Sequence, residues 1–401
     1  MKDKKLPFWT MSFLITGNVL GVGVLALPIK TGLSGYIPTA CAIILIWAIM
    51  YFTALIIAKR ITVSEKLSKT FDIPSFFNDE LGSIGKWIAI IANLILLYGI
   101  ITAYLSMVSS MINALFPAIL SQKSLILIYF AIGSLLTVFG MRILLRGNFL
   151  VIIGLWICFA ILLSITSNHF DINNLRFTNW KILPGGLAVI VSAFHFHNIV
   201  PTVCRRFEFN YKLIRKSIFI GTFIGLIMNI AWVTVVLGAL PILGPGTTTI
   251  NYAFMHSEPA TVPLVQLLGS HVFITTSLIF ALLAVTASFA ANGKGLLSFI
   301  ADLSHSYLKM DNKYVTYILS FLPPLLLALG NPHAFLRAIS IVGGVGEAIL
   351  FGVLPAAILL KHVFKKKNKV KFTFILAVFI LLVSLFIVFS TSMEWIKSIY
   401  F

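Results

Sequence analysis

Apolar residues in this chain come in long unbroken runs, not in the alternating pattern of a half-buried strand or the three-and-four spacing of a surface helix. A helix that crosses a bilayer needs about 20 mainly apolar residues, so stretches free of Lys, Arg, Asp and Glu mark where such helices fall. Residues 6–29, 31–58, 87–122, 124–141, 147–170 and 182–204 give six spans. The runs 217–257 and 259–293 each hold one helix plus part of a polar connection around 241–271. Residues 314–336, 337–360 and 372–393 complete eleven, the tenth interrupted by Glu347. The pattern predicts an all-α polytopic membrane protein, a single transmembrane domain over 1–401. Segment 72–81 reads as a short interfacial helix capped by Asp72.

Composition agrees. Fifty-nine per cent of residues are hydrophobic and 10% charged, against roughly 25% charged in a soluble domain. Charge then adds direction. Lys and Arg number 30 against 12 Asp and Glu, a net +18, which on a soluble chain suggests nucleic acid. Here the basic residues gather in alternate connections: Lys2, Lys4 and Lys5, then those of 59–86, then Arg142 and Arg146, then those of 205–216, 309–313 and 361–371. Only Lys30, Lys123, Arg176, Lys181, Arg337 and Lys397 fall on the other side, and Lys294 lies within span eight. Because Lys and Arg accumulate in cytoplasmic loops, the N-terminus is expected in the cytoplasm and the C-terminus outside. The expected partner is membrane lipid, with the basic run 365–371 suited to anionic headgroups, and not nucleic acid. The first apolar run is too long for a signal peptide and lacks a clear cleavage signature, so it is read as a retained helix. Cys41, Cys158 and Cys204 have no metal-like spacing and cannot all pair, so neither a disulfide framework nor a metal site is expected. No HExxH, G-x-S-x-G or helically spaced carboxylate pair occurs, so neither a cofactor nor an enzyme is expected.

Two spans read as broken helices. Span one carries Gly21-Val22-Gly23-Val24-Leu25-Ala26-Leu27-Pro28, and span six Phe194-His195-Phe196-His197-Asn198-Ile199-Val200-Pro201. Glycine and proline make poor helix and good unwound backbone. These two spans open two groups of five, about 6–170 and 182–360, with 372–393 as an extra helix. The long connection after span two and the one after span seven fall on opposite faces, as an inverted repeat requires. Broken helices at matching positions point to the midplane site of a secondary transporter, where free N–H groups take an anion and free carbonyls a cation. A zwitterionic amino acid supplies both.

The chain resembles the aromatic (hydroxy and aromatic) amino acid permease family, which includes the bacterial tyrosine and tryptophan carriers and belongs to the amino acid–polyamine–organocation superfamily. The resemblance spans nearly the whole chain. Besides the two broken segments it rests on Leu97-Tyr98-Gly99-Ile100-Ile101-Thr102-Ala103-Tyr104-Leu105-Ser106, Thr286-Ala287-Ser288-Phe289, Ser298-Phe299-Ile300-Ala301-Asp302-Leu303 and Pro323-Pro324-Leu325. It implies a LeuT-type inverted repeat, an aromatic amino acid substrate, a proton or sodium as coupling ion, and a bacterial inner-membrane location. It further implies that the substrate carboxylate meets Gly21, Val22 and Gly23, and the amine the carbonyls of Ser192, Ala193 and Phe194. The side chain would then lie among helices three, six, eight and ten, where Tyr98, Thr102 and Tyr104 are placed. Sodium-coupled relatives would use Thr286 and Ser288 as ion ligands. One departure is His195, where the family usually has a small residue; His197 matches the family's usual histidine.

Polar groups at membrane depth add candidates, since each is costly there. Asn18 and Asn292 are expected to line the interior with Ser288. Glu347 is the one carboxylate placed within a helix, and burial favours its neutral form, so it is a candidate proton carrier. Lys294 either snorkels to the cytoplasm or supplies a positive charge near the site. His195 and His197 would point about 200° apart on an intact helix, and with no third ligand nearby a metal site is not expected. His197 is the preferred proton-linked or substrate-contacting residue. The expectation is a proton-coupled importer of tyrosine, tryptophan or phenylalanine working by alternating access. A sodium-coupled neutral amino acid carrier is the alternative, and a channel stands further off.

Overall fold

The computed structural model describes residues 5–64, 72–116, 120–139, 141–365 and 371–400. Lys2, Lys4, Lys66, Lys69, Lys366, Lys367 and Lys369, used above for orientation, lie outside the described residues, as do the side chains of Lys5, Val22, Arg142, Arg146 and Lys365. In lipid every backbone group must find its partner within the protein, which favours helix throughout. Among the described residues, ten helices are long and apolar enough to cross a bilayer, and one bent pair makes an eleventh span. In chain order the spans are Phe8–Val19 with Gly23–Gly32, Tyr36–Val63, Ser83–Leu115, Gln122–Phe139, Leu150–Ser167, Leu183–Arg206, Tyr211–Ala239, His271–Leu308, Lys313–Gly330, Phe335–Phe364 and Lys371–Lys397. Spans three, six and ten are the most enclosed; four, five, nine and eleven are the least.

The expected interfacial helix is Ile73–Leu81. Asp72 accepts a hydrogen bond from the Ser75 N–H at 2.9 Å, and buried Phe76 and Phe77 pin the helix beneath the bundle. The connection after span seven contains two further short helices, Ile250–Met255 and Thr261–Leu268.

Two charged clusters tie span ends together. At one end, Glu80 accepts from Arg60 Nε at 2.6 Å and lies 3.0 Å from His362 Nε2, while Lys361 donates to the Glu80 carbonyl. At the other end, Lys30 pairs with Glu394, and Arg337 lines the same small cavity. Arg60 closes span two and His362 span ten, while Lys30 closes span one, Arg337 opens span ten and Glu394 closes span eleven. These meetings match eleven successive crossings. The face where span one begins is called the near face below, and the opposite one the far face.

Glu347 is therefore not the sole helical carboxylate: Glu80, Asp302 and Glu394 also lie in helices. The helices run past the charge-free stretches because their last turns lie at headgroup level, where charge is tolerated.

Candidate functional site

Span one leaves the helix at Leu20 and Gly21, and the axes of its two halves differ by 47°. Span six is helical over Leu187–Ala193, opens across 194–196, passes through a single tight turn at His197–Ile199 and resumes at Val200–Arg206. Pro201 sits in the first turn of the second half, where its missing N–H has no helical partner to lose. The two breaks meet backbone to backbone. A Cβ on Gly23 would stand 2.8 Å from the N and Cα of Ala193 and 3.1 Å from the Ser192 carbonyl carbon, so only glycine permits this approach.

Span ten closes on the same point. Its turns widen over Val342–Glu347, a form often found at functional sites. A Cβ on Gly343 would lie 1.9 Å from the Ala188 carbonyl oxygen, so this helix is pressed against span six. Ser192 donates across the contact to the Ile339 carbonyl at 3.2 Å. The widened turn carries Glu347 to a fully enclosed position 2.8 Å from His195 Nδ1. The pair has ion-pair distance without hydrogen-bond alignment, and Glu347 Oε2 and His195 Nε2 have no partner among the described residues.

Around the breaks lies a cavity offering about 140 Å³ to the centres of water-sized groups. Gly17, Asn18, Gly21 and Gly23 of span one line it, with Ser192, His195 and Asn198 of span six. Ile100 and Tyr104 come from span three, Ile152 and Leu155 from span five, Ser288 and Asn292 from span eight, Ile339 and Glu347 from span ten. Asn292 Nδ2 donates to the Tyr104 hydroxyl at 3.3 Å. Leu14, Asn18, Ile152, Asn198 and Asn292 all belong to the near-face halves of their spans, so the cavity extends from the breaks toward that face.

A family model for tryptophan/tyrosine permeases matches residues 4–394. The chain belongs to the tryptophan/tyrosine permease family. It is 28% identical over 358 residues to tyrosine-specific transport system 1 of Haemophilus influenzae, covering 87% of each chain. It is 26% identical to the tryptophan-specific transport protein of the same organism, over 86% of this chain and 85% of the relative. With the low affinity tryptophan permease of Escherichia coli (strain K12) the identity is 25%, over 90% of this chain and 88% of the relative. This chain is thus an integral membrane permease and not an enzyme.

In this permease several of the expected site residues do not line the cavity. Tyr98 donates to the Leu319 carbonyl at 2.7 Å. Pro323, four residues beyond Leu319, lacks the N–H that this carbonyl would have received, so Tyr98 completes span nine and is not among the residues lining the cavity. Thr102 turns the same way, donating to the Tyr98 carbonyl at 2.8 Å and the Pro324 carbonyl at 3.4 Å. His197 is buried, 3.0 Å from the Thr53 hydroxyl through Nε2, and stacked on Phe351 with ring centres 4.5 Å apart. Thr286 faces the Tyr129 hydroxyl at 3.2 Å, leaving Ser288 alone of the two ion-ligand candidates on the cavity. Lys294 is exposed and away from the cavity. Ala193 and Phe194 are buried in the break itself.

Asn198 lines the cavity although the sequence reading singled out its neighbour His197 as the working residue. In an unwound segment the facing changes residue by residue, and helical spacing no longer assigns it. The usable signal was an uncharged polar side chain at membrane depth. Glu80 and Glu394 were missed because they lie where apolar runs give way to charge.

Proposed function

We propose that this permease is a secondary active transporter that imports an aromatic amino acid, tyrosine or tryptophan, by proton symport through alternating access. The observation that carries the reading is the meeting of two broken helices at one cavity, with the enclosed Glu347–His195 pair in its wall. The first N–H groups of the half-helix after Gly21 have no intrahelical partner and suit a carboxylate. The last carbonyls of Leu187–Ala193 suit an ammonium group. The aromatic side chain then extends toward Ile100 and Tyr104, with Ser288, Asn292 and Asn198 able to meet a phenol or indole donor. Spans one to five and six to ten are read as a LeuT-type inverted repeat, with span eleven added. The near-face cavity corresponds to one of the two access states.

A carboxyl group and an imidazole 2.8 Å apart, neither with a hydrogen-bond partner among the described residues, can pass a proton between them. Glu347 and His195 are accordingly the proton carriers. Engagement of the Thr286 hydroxyl by Tyr129 weighs against the sodium-coupled alternative. The test is uptake of labelled tyrosine and tryptophan into proteoliposomes under an imposed pH gradient, with sodium present or replaced by choline. Accumulation should follow the pH gradient and ignore sodium. E347Q should lose accumulation yet retain substrate exchange; if it keeps both, Glu347 carries no coupling proton.

A further inference from the structure

Beyond the central cavity, the far face holds a second and smaller one. Lys30, in the last turn of span one, has a side chain only 6% exposed, and its ammonium group pairs with Glu394 near the end of span eleven. The same ammonium stands 5.0 Å from the centre of the Phe254 ring, on the short helix Ile250–Met255. Arg337, in the first turns of span ten, lines this cavity with Lys30, Glu394, Ser340, Thr391 and Trp395. Its side chain is exposed, and its guanidinium has no ion-pair or hydrogen-bond partner among the described residues. Two cations thus face one carboxylate, leaving one positive charge uncompensated.

The space offered to water-sized centres is about 60 Å³. One water needs about 10–15 Å³ by that measure, so a carboxylate group fits. The free guanidinium is a planar fork matched to carboxylate oxygens. Lys30 can exchange Glu394 for another carboxylate without being left unpaired, the state that makes breaking an enclosed ion pair costly. Lys30 also belongs to the half-helix that follows the break, which the far-face connection straps through the Ala260 N–H to the Leu25 carbonyl at 2.9 Å.

We propose that this cavity is an entry site for the α-carboxylate of the transported amino acid, taken up by Arg337 and then competing with Glu394 for Lys30. Arrival of substrate thereby loosens the tie between spans one and eleven that keeps the far face closed. The inference rests on the amino acid transport reading above, with the carboxylate as the recognised group.

The experiment is tyrosine and tryptophan transport in proteoliposomes of known sidedness, measured separately from each face, for the wild type, R337Q and E394Q. R337Q should raise the far-face KM roughly tenfold, the loss of one charge-assisted contact, and leave the near-face KM unchanged. E394Q should lower the far-face KM, because Lys30 is then free for substrate. A change with R337Q that is equal from both faces, or absent from both, overturns the proposal. Failure of the transport reading shows differently: wild-type protein would then move neither amino acid from either face.

Discussion

A single hydroxyl illustrates how substrate contact and structure are told apart. Tyr98 sits on an enclosed helix in a member of the tryptophan/tyrosine permease family, yet its hydrogen bond goes to a carbonyl that Pro323 leaves without a helical donor. Y98F should therefore lower thermal stability by about 1–3 kcal/mol, the cost of a carbonyl left without a donor in lipid, with the transport KM unchanged. A rise in KM at constant stability would return Tyr98 to the substrate site. Glycines separate in the same way. A Cβ on Gly23 meets the Ala193 backbone at 2.8 Å, whereas one on Gly21 meets only the Asn18 carbonyl oxygen at 3.4 Å. G23A should part the two breaks, destabilise by about 1–3 kcal/mol and abolish tyrosine-induced thermal stabilisation. G21A should bind almost as the wild type does.

At the scale of elements, the far-face connection carries a titrating group. Burial raises the Glu258 carboxyl above its ordinary 4.5, with nearby His256 pulling it down by less. The folded connection then binds this proton more tightly than the unfolded chain. The resulting stability is fully present below the ordinary carboxylate value and is lost as pH rises through the raised one. Thermal unfolding should show stability falling as pH rises above 4.5, and E258Q should flatten the slope. The helices themselves were legible in the sequence because lipid allows one way of reading a long apolar run. So were the two breaks, since glycine and proline act locally. The facing of side chains within the breaks was not. His197 and Asn198 are adjacent, yet one packs on Phe351 and the other lines the cavity. Nor could spacing show that Glu347 finds His195, which depends on the widened turn of span ten and its glycine contact with span six.

For the whole molecule, the clusters around Glu80 and around Lys30 mark opposite faces, and the positive-inside rule predicts that the Glu80 face is the cytoplasmic one. Met255, 71% exposed in the far-face connection, and Leu308, 58% exposed at the near end of span eight, offer a direct check. A membrane-impermeant thiol reagent added to intact cells should label M255C and spare L308C until the membrane is permeabilised. The reverse pattern would invert the orientation. Glu80 ties the ends of spans two and ten to the interfacial helix, and its carboxylate is enclosed. E80A should cost about 1–3 kcal/mol in thermal stability, because part-exposed Arg60 and His362 lose their shared acceptor.

Span ten has a further property that follows from its glycines. Gly344 and Gly352 bring it so close to span eleven that a Cβ would lie 2.0 Å from Thr391 Oγ1 and 2.3 Å from Ser384 Oγ. The two helices are in close contact at both glycines, and Leu385, Phe386 and Phe389 of span eleven are exposed on the outer surface. On the proposed coupling role of Glu347, its displacement with each proton exchange should reach that outer surface. An environment-sensitive dye at position 386 would then report turnover from the bilayer side, without touching the central cavity.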